Sequence, residues 1–276
     1  MTILSIFNFL SKAAIMKKQN LFVFLIAFCF PFSSFAWSLE GHRVCGEIAS
    51  RHLTKKTAAS VLSILGNESL AMASNWADFI KSDTSFKYLE SWHYIDIKDS
   101  LDNATVMALL QNDTATDAYT KINFLSLQLK DKNLPHDKQV MYLKLLIHIV
   151  EDIHQPLHTI DRGRGGNDIK VMWFNEASNL HRVWDSDLIN SQGLSYTEYA
   201  NALDHTTKEQ MVAWQSKPLS QWIFDSYAIG EQLVNEIKQP DQKLSYRYNF
   251  DHLATLNQQL LTGGIHLAKV LNDIFG

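Results

Sequence analysis

Cysteine is what this sequence has least of: 276 residues contain two, Cys29 and Cys45. That scarcity excludes both a disulfide scaffold and a thiolate zinc cluster. Proline and glycine are sparse too, with 5 and 11 residues scattered along the chain. No low-complexity linker, charge run or internal repeat divides the sequence, so it reads as one domain behind its N-terminus. Basic residues are not in surplus, at 25 Lys and Arg against 29 Asp and Glu. The basic patch usual in nucleic-acid binders is therefore missing. Also absent is any apolar run of the roughly 20 residues needed to span a bilayer.

The longest apolar run, Leu21 to Phe30, follows Lys17 and Lys18, is broken by Pro31, and leads to the small residues Ser34 and Ala36. This is the pattern of a secretory signal, with cleavage expected between Ala36 and Trp37 and a secreted or periplasmic destination. Removing residues 1–36 takes away Cys29 and three lysines, leaving 22 basic against 29 acidic side chains, a formal charge of −7. Cys45 then has no partner. Any metal site must be assembled from His, Asp and Glu, a donor set that suits zinc. If such a chain handles phosphodiesters, bound cations must supply the positive field, and three divalent ions bring −7 to about −1.

What the sequence does have is helical periodicity. Apolar spacing predicts helices over 42–53, 54–65, 116–130, 137–153, 196–215, 219–238 and 252–274, with Gly66-Asn67 ending the second. The stretch 139–150 is apolar nearly all round, which predicts a central buried helix. Pro156 and Gly163, Gly165 and Gly166 open a loop, followed by a short strand pair near Ile169–Phe174. The fold class is mainly α.

Eleven histidines are present, and five of them (His42, His93, His148, His158 and His181) sit in apolar or tightly spaced surroundings. His148 and Asp152 are four apart on a predicted helix, and so are His181 and Asp185, which puts each pair on one face. Such a pair is either a helix-stabilising contact or half of a metal site. The recurrence of the pair, the strongly apolar helix around the first, and His158 just past Pro156 make metal an equal reading, because burying an imidazole and a carboxylate without compensation is costly. Asn75-Trp76-Ala77-Asp78 and Trp92-His93-Tyr94-Ile95-Asp96 add further donors beside aromatic residues, the second with the alternation of an extended segment. At Trp37-Ser38-Leu39-Glu40-Gly41-His42, cleavage exposes an α-amine with a pKa near 8. That amine and its own carbonyl oxygen can chelate a metal.

In this order these segments, with His154-Gln155-Pro156-Leu157-His158, Gly165-Gly166-Asn167, Asn179-Leu180-His181 and Trp184-Asp185, resemble the zinc-dependent single-strand nucleases and 3′-nucleotidases of the S-one/P-one type. The resemblance spans residues 37–185. It implies a single-domain, mainly helical fold of the phospholipase C and single-strand nuclease type, with a small β-hairpin and three Zn2+ ions in a cleft. It assigns Asp78, His93, His148 and Asp152 to one ion and His158, His181 and Asp185 to a second. The third would take Trp37, His42 and the other oxygen of Asp152. It makes Asp78 and Asp152 the catalytic carboxylates, and Tyr94, Asp96 and Asn167 the substrate contacts. The expected activity is hydrolysis of single-stranded DNA, RNA and 3′-nucleotides by a zinc-activated hydroxide, in a monomer that needs no protein partner and no membrane. Two rival readings keep the ligands: a zinc-dependent phospholipase C, and a secreted zinc-binding protein without catalysis.

Overall fold

In the computed structural model the described residues are 37–276, so the signal peptide and its cleavage after Ala36 lie outside them. Helix α1 (Leu39–Arg51) starts where the Ser38 hydroxyl accepts the Gly41 N–H, and α2 (Lys55–Leu65) starts at a Thr54 cap and stops at Gly66, whose φ is +64°. Both ends follow from residue chemistry: small hydroxyls satisfy the free N–H groups of a first turn, and glycine accepts the left-handed conformation that ends a helix. Three short helical pieces come next: α3 (Leu70–Ala73), α4 (Trp76–Ile80) and a 3-10 stretch over Thr84–His93. The chain then runs through α5 (Asn103–Gln111) and α6 (Ala118–Gln128) into α7 (His136–Asp152), where every residue from Leu145 to Asp152 is buried. The central buried helix expected at 139–150 is this one. It packs against α6, α4 and the C-terminal helix, so it forms the axis of the molecule.

Strands β1 (Lys170–Trp173) and β2 (Glu176–Asn179) form the expected hairpin, with Val171 opposite Ser178. Its two-residue turn has positive φ at Phe174 and Asn175, the primed turn that matches strand twist. A third strand, β3 (Gln242–Leu244), lies parallel to β1 and widens the hairpin into a sheet of order β2-β1-β3. From β2 the chain passes into α8 (Leu180–Arg182), a π-helical turn over Val183–Asp187, and α9 (Leu188–Asn190).

The helix expected over 196–215 is two helices, α10 (Tyr196–Leu203) and α11 (Lys208–Gln215). The break has a local cause: Thr207 and Gln210 form a capping box, Thr207 accepting from the Gln210 N–H, which starts a new helix where apolar spacing alone runs on. Likewise, only the end of Trp92-His93-Tyr94-Ile95-Asp96 is extended, because Trp92 and His93 close the 3-10 stretch. Helix α12 (Leu219–Glu236) matches its expectation, and the last helix, α13 (Tyr246–Phe275), begins six residues earlier than 252. No helix among the described residues is long and apolar enough to cross a membrane.

α13 lies along α1 in the most extensive helix pairing of the fold. Gly263 and Gly264 permit it. A Cβ on Gly264 would meet Ile48 at 2.7 Å and the Cys45 carbonyl at 2.8 Å. Cys45, the lone cysteine, is buried in this seam as packing. Because α1 carries His42, the seam sets where that imidazole stands. Gly264→Ala should therefore overpack the seam, costing about 1–3 kcal/mol and lowering the thermal midpoint. An unchanged midpoint would show that the two helices can move apart freely.

Candidate metal centre

Seven elements deliver the expected His and Asp ligands to one buried place. His42 comes from α1, Asp78 from α4, His93 from the end of the 3-10 stretch, and His148 with Asp152 from the last turn of α7. His158 lies in a 3-10 turn over Pro156–Thr159, and His181 with Asp185 spans α8 and the π turn. All are buried. Among the described residues three groups of donor atoms lie close enough to share an ion: His42, Asp78 and His148; His93, His148 and Asp152; His158, His181 and Asp185. The last is an expected set, whereas His42 groups with Asp78 and His148 and stands 3.6 Å from Asp152.

Asp152 joins them. Its Oδ2 lies 2.9 Å from His93 and 3.1 Å from His148, and its Oδ1 lies 3.4 Å from His158 and 3.6 Å from Nε2 of His42. Asp185 reaches His181 at 3.0 Å and His158 at 3.7 Å. Asp78 lies 3.7 Å from His148 and holds Lys81 at 2.7 Å through the same oxygen, Oδ1.

The rings are oriented from behind. Nδ1 of His148 donates to the Ser74 carbonyl at 2.6 Å, Nδ1 of His158 lies 3.1 Å from the His93 carbonyl, and Nδ1 of His181 donates to the Gly165 carbonyl at 2.5 Å. A proton on Nδ1 leaves the Nε2 lone pair facing the carboxylates, which is how a metal-binding imidazole is set up. Gly165 must be glycine for its share of this. Its φ is +60°, and a Cβ there would come within 2.5 Å of the Leu157 carbonyl.

The polar atoms that point inward have nothing to bond. Nε2 of His42, Oδ2 of Asp78, Nε2 of His93 and Oδ1 of Asp152 are buried without hydrogen-bond partners. Buried polar atoms are ordinarily satisfied, and here the unpartnered Nε2 of His42 faces the unpartnered Oδ1 of Asp152 across 3.6 Å, a contact that a cation between them would satisfy. Among the described residues, the ion pairs of Asp78, Glu151, Asp152 and Asp185 involve one lysine, Lys81, and otherwise histidines. The donor set and its charge fit divalent metal.

The field works on the protons as well. Burial pushes the Asp152 carboxyl up, but His148 and His158 hold it well below the usual carboxylate range. Burial lowers His148 and His181, yet Asp152 and Asp78 raise the first above its ordinary 6.5 and Asp185 raises the second. Burial, then Lys81, takes His93 down to about 4.

Of the expected substrate contacts, Tyr94 is half-buried and Asp96 exposed, at alternate positions of an extended segment whose intervening residues, Ile95 and Ile97, are buried. Burial, then the Asp96 carboxylate, raises the Tyr94 hydroxyl above its ordinary pKa. Asn167 bonds within its own loop, to the Arg164 carbonyl at 2.9 Å. Trp37 is fully buried: its indole donates to the Glu151 carbonyl at 3.0 Å, and the next N–H, of Ser38, donates to the Asp185 carbonyl at 2.7 Å. Sequence reasoning passed over Glu151, which bonds His42, and Gln155, which donates to Asp185 at 2.5 Å. A buried glutamate directly before Asp152 in an apolar helix was the available signal. Gln155, a glutamine just ahead of Pro156, gave none by itself.

The profile of the S1/P1 nuclease family matches residues 37–276. The chain belongs to the S1/P1 nuclease family. Similar relatives include Endonuclease 4 of Arabidopsis thaliana, 28% identical over 87% of this chain and 89% of its own length. Nuclease P1 of Penicillium citrinum is 26% identical over 87% of this chain and 98% of its own length. Nuclease S1 of Aspergillus oryzae is 29% identical over 56% of this chain and 55% of its own length. S1/P1 nucleases depend on metal, and the activity of this chain is that of a phosphodiester-cleaving hydrolase.

A metal must displace the protons that the carboxylates hold on His148 and His181. In the metal-free protein these raised groups stabilise the fold below about pH 6.5, and that contribution is lost as pH rises through their folded pKa. Metal affinity runs the other way, rising with pH. Calorimetric titration of zinc at pH 7 in two buffers of different ionisation enthalpy should show proton release; heats independent of the buffer would contradict it.

Proposed function

We propose that this S1/P1 nuclease is an exported, zinc-dependent enzyme that hydrolyses single-stranded DNA and RNA to 5′-nucleotides and also acts as a 3′-nucleotidase. The observation that carries the reading is the set of three buried His/Asp groups joined through Asp152, with unpartnered donor atoms turned inward. Asp78, His93, His148 and Asp152 would hold one zinc, His158, His181 and Asp185 another, and the Trp37 amine and carbonyl with His42 and Asp152 the third. Zinc bound there supplies Lewis-acid charge to the phosphoryl oxygens and lowers the pKa of a water towards neutrality.

The protein's own groups then do the positioning. Asp152 spreads its two oxygens over four imidazoles, and Asp78 keeps Oδ2 free while Lys81 occupies Oδ1. Substrate reaches the centre from the side of Asp78, His93, His158 and His181, which keep 3% to 6% exposure, since His42, His148 and Asp152 have none. Tyr94 offers a ring for an unpaired base to stack on, and Asp96, two positions on and facing the same way, hydrogen-bonds the base edge. Stacking tolerates any sequence but requires the base out of a duplex, which is why single strands are the substrate. Asn167 contacts the phosphate from its loop.

Metal analysis of the mature protein should give close to three zincs per chain, with activity on single-stranded DNA far above that on duplex and lost in chelator. Tyr94→Ala should keep the zincs and weaken single-strand binding by about 1–3 kcal/mol, whereas Asp152→Ala should lose both metal and turnover. Full activity in a metal-free preparation would falsify the reading.

The ligand role of Trp37 makes a sharper demand, because the amine must be free. A preparation with Met before Trp37 turns the amine into an amide and extends chain into the centre. It should bind one zinc fewer and be nearly inactive on single-stranded DNA beside the processed form. Equal zinc and equal rates in the two would replace the three-zinc reading with a two-zinc site.

A further inference from the structure

Glu151 is fully buried, yet none of the three donor groups includes it. Consecutive positions on a helix diverge by about 100°, so the two neighbouring carboxylates at the end of α7 face different ways. Asp152 turns to His93, His148 and His158, while Glu151 turns to α1. There its Oε2 lies 2.6 Å from Nδ1 of His42. The far side of the same ring, Nε2, faces Oδ1 of Asp152 at 3.6 Å. The His42 ring is thus bracketed by adjacent residues of one helix, and an ionised Glu151 would hold the ring proton on Nδ1 and leave the Nε2 lone pair towards Asp152.

This departs from the other rings. His148, His158 and His181 have backbone carbonyls behind them, whereas His42 has a side-chain carboxylate, a stronger acceptor. Glu151 also takes the Trp37 indole on its main-chain carbonyl at 3.0 Å. Both segments that the start of the folded chain brings to the site are therefore anchored on one residue of α7.

We propose that Glu151 is the positioning residue of the N-terminal metal site: its carboxylate fixes the His42 tautomer and its carbonyl anchors Trp37, so that both reach a zinc shared with Asp152. The proposal rests on the metal reading above. It assigns Glu151 no contact with substrate. Replacing a partner of this kind ordinarily costs about 10–100-fold in metal affinity.

The test is stepwise chelator competition on zinc-loaded mature protein, comparing wild type, Glu151→Gln and Glu151→Ala. One zinc should weaken about 10–100-fold in Glu151→Ala while the others keep their affinity. Glu151→Gln, which retains a carbonyl acceptor at the same reach, should fall between that variant and wild type. In a His42→Ala background Glu151→Gln should change zinc affinity no further, which separates a role through His42 from general support of the fold. Wild-type affinity for every zinc in Glu151→Ala overturns the proposal; if that variant does not fold, wild-type affinity in Glu151→Gln overturns it equally. A further loss in the His42→Ala background overturns the route through His42. Failure of the wild-type protein to take up zinc would instead sink the metal reading itself.

Discussion

Four carboxylates buried against one lysine and five imidazoles are the constraint on which this protein is built. Isolated ionised groups in a protein interior cost several kcal/mol each even after relaxation. The histidines that meet Asp78, Asp152 and Asp185 ease this only while they carry protons, and burial works against that. Divalent cations resolve the conflict, because they satisfy the lone pairs of the imidazoles and the charge of the carboxylates together. The elements that bring the donors are distant in sequence, from α1 to the π turn after α8, so a metal here is also a cross-link through the core.

The orientation of the centre is fixed by backbone more than by side chains. The His93 carbonyl stands behind His158, and the Ser74 and Gly165 carbonyls stand behind His148 and His181. The placing of one ligand thereby fixes another: the end of the 3-10 stretch supplies both the His93 ring and the acceptor that turns His158. This is also why Gly165 and the Gly263-Gly264 pair matter at a distance from the metal. The first lets a carbonyl reach His181, and the second lets α13 seat α1 close enough for His42 to reach α7.

Five of the donors were legible from spacing, because they stand four apart on a helix or follow its closing turn; His42, Asp78 and His93 entered as ligands through the family resemblance. His148 and Asp152 recur as His181 and Asp185, and both pairs meet across one helical turn, at 3.1 and 3.0 Å. The longer helices were legible for the same reason. What was not legible depends on capping and on partners far along the chain. The break between α10 and α11 is made by the Thr207 and Gln210 capping box, which apolar periodicity does not register. β3 pairs with β1 across some seventy intervening residues, and three residues of Gln-Lys-Leu carry no strand signal of their own. Glu151 escaped notice because its partner, His42, lies in another helix, and a glutamate beside an aspartate reads equally as a solvated helix end.

The charge of the chain gives the site its logic. Residues 37–276 carry 22 basic and 29 acidic side chains, so their net charge does not favour gathering a polyanion. Nucleic-acid binding usually draws on lysine and arginine contacts to phosphate, which contribute wherever the backbone passes. On the proposed reading the attraction is concentrated at one point and exists only with metal in place, and the neighbouring ring of Tyr94 would select for an unstacked base. A phosphate is therefore held firmly only where it can also be cleaved. A metal that satisfies the donors would also reverse the sign of the centre towards substrate, so on that reading folding, binding and chemistry depend on a single occupancy.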